Sequence, residues 1–383
     1  MCDILKHTTM KTGDKTMKKI HRTLSLFTAA AMCAALLCSC GEVSDSSQTD
    51  SSSKATTTTT ADTTADTTTT GEESSTASVA SAPDSSVSDS SSAVTDDTKT
   101  NGITPAMWKV TSPEGNTMVM LGSFHALKDE CYPLPEAITN AYNNADILAV
   151  ECDITSTKED GEYMKNLMKQ MLYNDNTKLS QHISEEAYSA LQTYLSYWGM
   201  DISALEVYRP WAVSSTLDTL LIQDADFDSE KGLDNYLLTT AHADGKEIYE
   251  VDSVDFQMNM LINFSDDIYD LMFRSYEGET KESQKQALED LYTAWKSGDI
   301  ETFLEEDNEE ELAGYTEEDK KIAEDYNNQM LYDRNKNMAK AAEDLMSQGK
   351  NVFYVVGAAH YAGEGGIIDL LEKDGYTAER VQY

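Results

Sequence analysis

Residues 352–360 read Val352, Phe353, Tyr354, Val355, Val356, Gly357, Ala358, Ala359, His360, and residues 119–125 read Val119, Met120, Leu121, Gly122, Ser123, Phe124, His125. Both are apolar runs of strand length that stop at a glycine, with a histidine three positions later. Two more apolar runs end in carboxylates: Ile147 to Val150 stops at Glu151, and Ile248 to Val251, which carries Glu250, stops at Asp252. Segments of helical periodicity separate the four runs. Strands alternating with helices predict an α/β fold, a central sheet with flanking helices, and such sheets hold their sites beyond the carboxyl ends of the strands.

Trp108 to Ser112 and Thr117 to Leu121 flank Pro113, Glu114, Gly115 and Asn116, which predicts an N-terminal β-hairpin. Helices are expected at 135–144, 163–172, 185–198, 211–222, 232–243 and 367–373, and a closing strand at 378–382. Residues 255 to about 349 read as a helical insertion broken at Gly278, Gly298 and Gly314. The methionines of the helices at 163–172, 185–198 and 211–222 are read as core filler.

His125, Glu151, Asp252 and His360 therefore each follow a strand, and one cleft could receive all four. Neutral imidazoles and carboxylates suit a divalent ion such as Zn, Mn or Co, and an open coordination position acidifies a bound water enough for it to act as a nucleophile. No organic cofactor is implied. Arg334, on a helix, could clamp a substrate carboxylate or stabilise an oxyanion. Asp234, just after Gly232, has helix N-capping as its plain explanation. His182 and His242 are read as surface residues, and Arg209 as part of a turn that seats Trp211 in the core. Cys131 and Cys152 are read as buried or, in an oxidising compartment, paired.

GSFH (Gly122 to His125) and GAAH (Gly357 to His360), with Glu151 after an apolar strand, resemble the TraB/GumN family, which includes the Tiki-type membrane metalloproteases. RPW (Arg209 to Trp211), GLD (Gly232 to Asp234), VDSVDFQ (Val251 to Gln257) and RN (Arg334, Asn335) follow in family order. The resemblance implies a metal-dependent peptidase that needs His125 and His360. It extends to proteins that shut down a conjugation-pheromone response, and to hydrolases that open a macrolide ester with a histidine-activated water and no metal. Three readings follow: a metallopeptidase-like hydrolase, a metal-free hydrolase using histidine and glutamate, and a non-catalytic lipoprotein that captures a peptide or pheromone. The partner is a peptide or small-molecule substrate.

The rest of the chain sets the location. Lys15, Lys18, Lys19 and Arg22 precede an apolar run from Leu24 to Leu37, the length of a signal-peptide core rather than of a membrane span. Leu37, Cys38, Ser39, Cys40 resembles the lipoprotein signature, which makes 1–40 a leader, Cys40 the lipidated residue, and Met17 an alternative start. Residues 41–101 are rich in Ser, Thr and Asp with almost no large apolar side chain, and predict a disordered tether. The domain is expected at 102–383, anchored through its lipid to the outer face of the cytoplasmic membrane. With 68 acidic against 29 basic residues, a net charge of −39 carried mostly by that domain, nucleic-acid binding is disfavoured. The acidic runs at 305–311 and 317–319 read as solvated helix faces.

Overall fold

A computed structural model describes residues 102–158, 160–304 and 315–383. The expected leader, Cys40, the tether, Gly314 and the acidic run at 305–311 lie outside these residues.

Six strands form one mixed sheet: β1 (Met107–Thr111), β2 (Thr117–Ser123), β3 (Ile147–Val150), β4 (Glu247–Glu250), β5 (Val352–Gly357) and β6 (Thr377–Arg380), in the order β4-β3-β5-β2-β1-β6. β1 pairs antiparallel with β2 and β6, while β2, β5, β3 and β4 run parallel. The hairpin turns at Gly115, whose φ of 91° lies in the left-handed region that glycine adopts at low cost. Burial explains the strand sequences. β3 and β5 are buried along their whole length and read as unbroken apolar runs, whereas the edge strands β4 and β6 are largely exposed and carry charged residues.

Helices cover the sheet: α1 (Glu136–Asn144), α2 (Gly161–Gln170), α3 (Glu185–Ser196), α4 (Pro210–Asp224), α5 (Leu233–Asp244), α6 (Val254–Ile262), α7 (Asp266–Arg274), α8 (Lys281–Ser297), α9 (Glu317–Asn327), α10 (Asp333–Ser347) and α11 (Ile367–Lys373). The insertion is thus interrupted at Gly278 and Gly298 as expected, with Gly298 closing α8 in a left-handed cap. It also breaks at residues 263–265, where Ser265 starts α7, and between α9 and α10, where Asn328–Tyr332 form a π-helical turn. The methionine reading holds for Met164, which is buried, and for Met171, which packs partly buried against the core, but not for Met168, which is exposed; Trp211 is buried with its indole N–H on the Gln170 carbonyl. Of the two roles read for the cysteines the structure shows the buried one: Cys131 and Cys152 both lie in the core and are not joined in a disulfide, and Cys131 meets the Tyr292 hydroxyl at 3.0 Å. Among the described residues no helix is long and apolar enough to cross a membrane.

Candidate active site

Because β2, β5, β3 and β4 are adjacent and parallel, the residues that follow them emerge at one sheet edge, with neighbouring strands about 4.8 Å apart. The structure brings His125, Glu151 and His360 together there: Glu151 Oε1 lies 4.0 Å from His125 Nε2 and 3.8 Å from His360 Nε2. The space between them borders on Gly357. A Cβ on that residue would stand 3.1 Å from Glu151 Oε1 and 3.4 Å from His125 Nε2. Gly122 has a different task, since a Cβ there would meet Ala358 Cα at 3.0 Å, and the turn carrying His360 could not close over β2. Both glycines supply room rather than an unusual backbone angle.

Each imidazole is oriented from behind. His125 Nδ1 is 2.7 Å from Asp234 Oδ2. Asp234 gets there because Gly232 lies hard against His125, so close that a Cβ would fall 2.0 Å from the His125 carbonyl oxygen. Asp234 is therefore not the N-cap of α5, a place taken by the backbone of Gly232, and the GLD motif acts as a support for His125. His360 Nδ1 is 2.6 Å from Asn335 Oδ1. The Asn335 amide N–H donates to the Gly365 carbonyl at 2.9 Å, which turns Oδ1 towards the ring and makes His360 Nδ1 the protonated nitrogen. The His360 Nε2 lone pair is left facing Glu151.

Glu151 is fixed by three groups. Its Oε1 accepts from the Gly357 N–H at 2.7 Å, and its Oε2 from Gln257 Nε2 at 3.1 Å and Arg334 Nη2 at 2.5 Å. Arg334 also donates through Nε to Asp252 Oδ2 at 2.9 Å and through Nη1 to the Met330 carbonyl at 3.1 Å. The π-helical turn just before Arg334 supplies that carbonyl, an instance of π-helical geometry at a site. Arg334 is 4% exposed and engaged through all three guanidinium nitrogens, so it positions Glu151 rather than reaching a substrate. Asp252 meets Arg334 and Gln257, which makes it the second counter-charge of the guanidinium. Of the two histidines read as surface residues, His242 is exposed and pairs with the buried Asp153, while His182 is half-buried and pairs with Asp266.

The electrostatics separate the two imidazoles. Enclosure by the pocket opposes a charge on His125, but 46% of its side chain stays open to solvent, and the Asp234 carboxylate with Glu151 behind it outweighs that, pushing the pKa up to about 9. His360 is buried, and burial together with the Arg334 charge pulls its pKa down to about 3. For Glu151 the cost of burial is overcome by Arg334 and the two histidines, and its carboxyl sits well below the usual range. Burial pushes Asp252 up against the pull of Arg334.

The donor types suit a divalent ion; their arrangement does not. Ligands at about 2.0–2.1 Å from a tetrahedral ion are roughly 3.4 Å from one another, closer than the separations here. Both oxygens of Glu151 are already hydrogen-bonded, and its charge is met by Arg334. Among the described residues no group of three or more His, Cys, Asp or Glu side chains is disposed to hold a metal. The same atoms can hold a water between an imidazole lone pair and a carboxylate.

Beyond these groups lies a cavity of about 1290 Å³, counting the space at its mouth, with Ile222, Met260, Leu261, Leu291, Phe303 and Leu331 in its wall. Sequence reading leaves out Asp234, Asn335 and Gln257 as site residues, although each lies in a short motif, GLD, RN or VDSVDFQ, whose order along the chain is the available signal.

An α/β sheet carrying two oriented imidazoles and a buried carboxylate at its carboxyl edge defines a class of proteins with a paired-histidine site. The chain matches the TraB/PrgY/gumN family over residues 106–380, and it belongs to that family. It is 24% identical over 293 residues to a protein of Nematostella vectensis named a metalloprotease TIKI homolog, covering 65% of this chain and 61% of that one. It is 25% identical over 157 residues to YbaP of Escherichia coli, covering 41% of this chain and 56% of that one. The chain thus spans a little over half the length of these relatives. No solved structure matches it.

Proposed function

We propose that the domain is a peptidase-like hydrolase that activates water between His360, Glu151 and His125. The observation that carries this is the unlike pair of imidazoles on one carboxylate, since two titratable groups driven apart in pKa by their surroundings mark an acid and a base. A water seated against His360 Nε2 and Glu151 Oε1 attacks the scissile carbonyl carbon as its proton passes to Nε2, and Glu151 stabilises the charge His360 gains. His125, protonated at neutral pH, gives its Nε2 proton to the departing amine as the C–N bond breaks. The apolar wall suits a substrate with a bulky apolar side chain beside that bond. Capture of a peptide without cleavage would use the same wall but gives no reason for two oppositely tuned imidazoles.

Activity on a fluorogenic apolar peptide tests the reading. It should persist through neutral pH and fall above about pH 9 as His125 loses its proton. Asp234→Asn removes the carboxylate that holds the proton, so the alkaline limb should move down towards the ordinary imidazole value of about 6.5. Stability shares the sign: the proton that Asp234 stabilises in the folded state contributes fully below about 6.5 and is lost as pH climbs towards 9. An alkaline limb that ignores Asp234→Asn would remove His125 from the acid role. Loss of activity on chelation, restored by Zn, Mn or Co, would move water activation from the imidazoles to an ion.

The domain is further proposed to be held outside the cytoplasmic membrane by lipid on Cys40, through the tether at 41–101. A fatty-acid label should enter the wild type and be absent from Cys40→Ser, with that variant released to the medium. Equal labelling of both would reject the anchor.

A further inference from the structure

An acyl-transfer site needs a donor for the oxygen on which negative charge develops. The evident donors here are already used. Arg334 is committed to Glu151, Asp252 and the Met330 carbonyl; the Gly357 N–H is on Glu151, and the Gln257 amide is shared between Glu151 and Asp252. Ser123 is the exception. It is 2% exposed, lines the cavity with His125, Glu151 and His360, and its Oγ has no hydrogen-bond partner among the described residues. Of the buried side-chain polar atoms in that condition, Ser123 Oγ alone belongs to the cavity wall. Its place in the fold is fixed: it is the last residue of β2, paired in register with Gly357, the residue that borders on the space between the imidazoles and Glu151.

A buried hydroxyl without a partner is costly, because its bonds to water have been given up for nothing. Such a cost at a site is recovered when a ligand supplies the missing atom. We propose that Ser123 Oγ–H donates to the carbonyl oxygen under attack and stabilises it as it becomes an oxyanion. Ser123 is then a catalytic residue without being the nucleophile: no bond to it forms or breaks, and the attacking oxygen remains that of water. The inference rests on the hydrolase reading above.

The test compares wild type, Ser123→Ala, Ser123→Thr and His360→Ala on one fluorogenic peptide with leucine and phenylalanine flanking the scissile bond. Ser123→Ala should lower kcat by about 10²-fold with KM nearly unchanged, while Ser123→Thr, which keeps the hydroxyl, should retain most of the rate. In thermal melts Ser123→Ala should match or exceed the wild type, since it deletes a polar group the fold leaves unpaired. A kcat for Ser123→Ala within about threefold of wild type, where a loss of about 10²-fold is expected of an oxyanion donor, would overturn the assignment; an inactive His360→Ala beside it leaves hydrolysis standing. A clear fall in its melting temperature would also overturn it, by showing the hydroxyl to be bonded within the fold. A wild type that cleaves nothing sinks the hydrolase instead. Ser123 is then read from calorimetric binding of the phosphonate analogue of that peptide, whose oxygen occupies the oxyanion position: weaker binding in Ser123→Ala supports the contact, and equal affinity rejects it.

Discussion

Replacing His360 with alanine should lower turnover of an apolar peptide by about 10²–10⁴-fold, the range for loss of a general acid–base group. The ring holds the one imidazole lone pair that its hydrogen bonding leaves free to take a proton: Asn335 Oδ1 fixes Nδ1 as the donor, and burial and Arg334 keep the ring neutral. His125→Ala should cost a comparable factor through loss of the acid. His125 follows β2 in a loop and His360 sits in the single 3₁₀ turn after β5, so neither change interrupts a strand or a long helix and circular dichroism should report an intact fold. The double variant should be little worse than either single one, because groups that act in one step are not additive. Full activity in both single variants would end the hydrolytic reading and leave the cavity as a peptide-capture site.

Glu151→Gln should be the most damaging change to the fold. Arg334 and Glu151 are both buried, and the guanidinium would be left with Asp252 alone as its anionic partner. Removing one member of a buried pair costs about 3–5 kcal/mol, because the other charge remains buried and under-compensated. Urea denaturation should show that loss, and activity should vanish with it. Glu151→Gln combined with Arg334→Met and Asp252→Asn removes all three charges of the buried cluster and should recover much of the stability and none of the activity. A single variant as stable as the wild type would mean that water reaches the Arg334 site and that the pair does not organise it.

The carboxyl-edge residues were legible in the chain because Glu151 and Asp252 directly follow an apolar run and His125 and His360 lie three positions past the glycine that ends one, and a strand must end where its side chains stop being buried. Gly122 and Gly357 were legible as the residues at which two of those runs stop, and what each makes room for is set in space: the Ala358 turn for the first and the Glu151 carboxylate for the second. Arg334 shows where such reading stops. A helical arginine in a sequence gives no account of its partners, and its expected reach towards a substrate gives way to a guanidinium whose nitrogens are taken up by Glu151, Asp252 and Met330. Asp234 is the converse case, a residue that resembles a helix cap in sequence and sits on His125 in space.

Local composition and period determined the class of fold, the strands, most of the helices and the order of the motifs, since burial on a sheet or a helix face imposes a repeat that sequence carries. Only the tertiary structure decided which groups share a proton. Strand order sets β5 between β3 and β2, so residues more than 200 positions apart become hydrogen-bonding neighbours, as Glu151 and the Gly357 N–H do at 2.7 Å. The opposite tuning of His125 and His360, two histidines in near-identical sequence contexts, arises from Asp234 behind one and burial beside Arg334 at the other. Such fields depend on distance through space and on exclusion of water, and neither quantity is written in the spacing of residues along a chain.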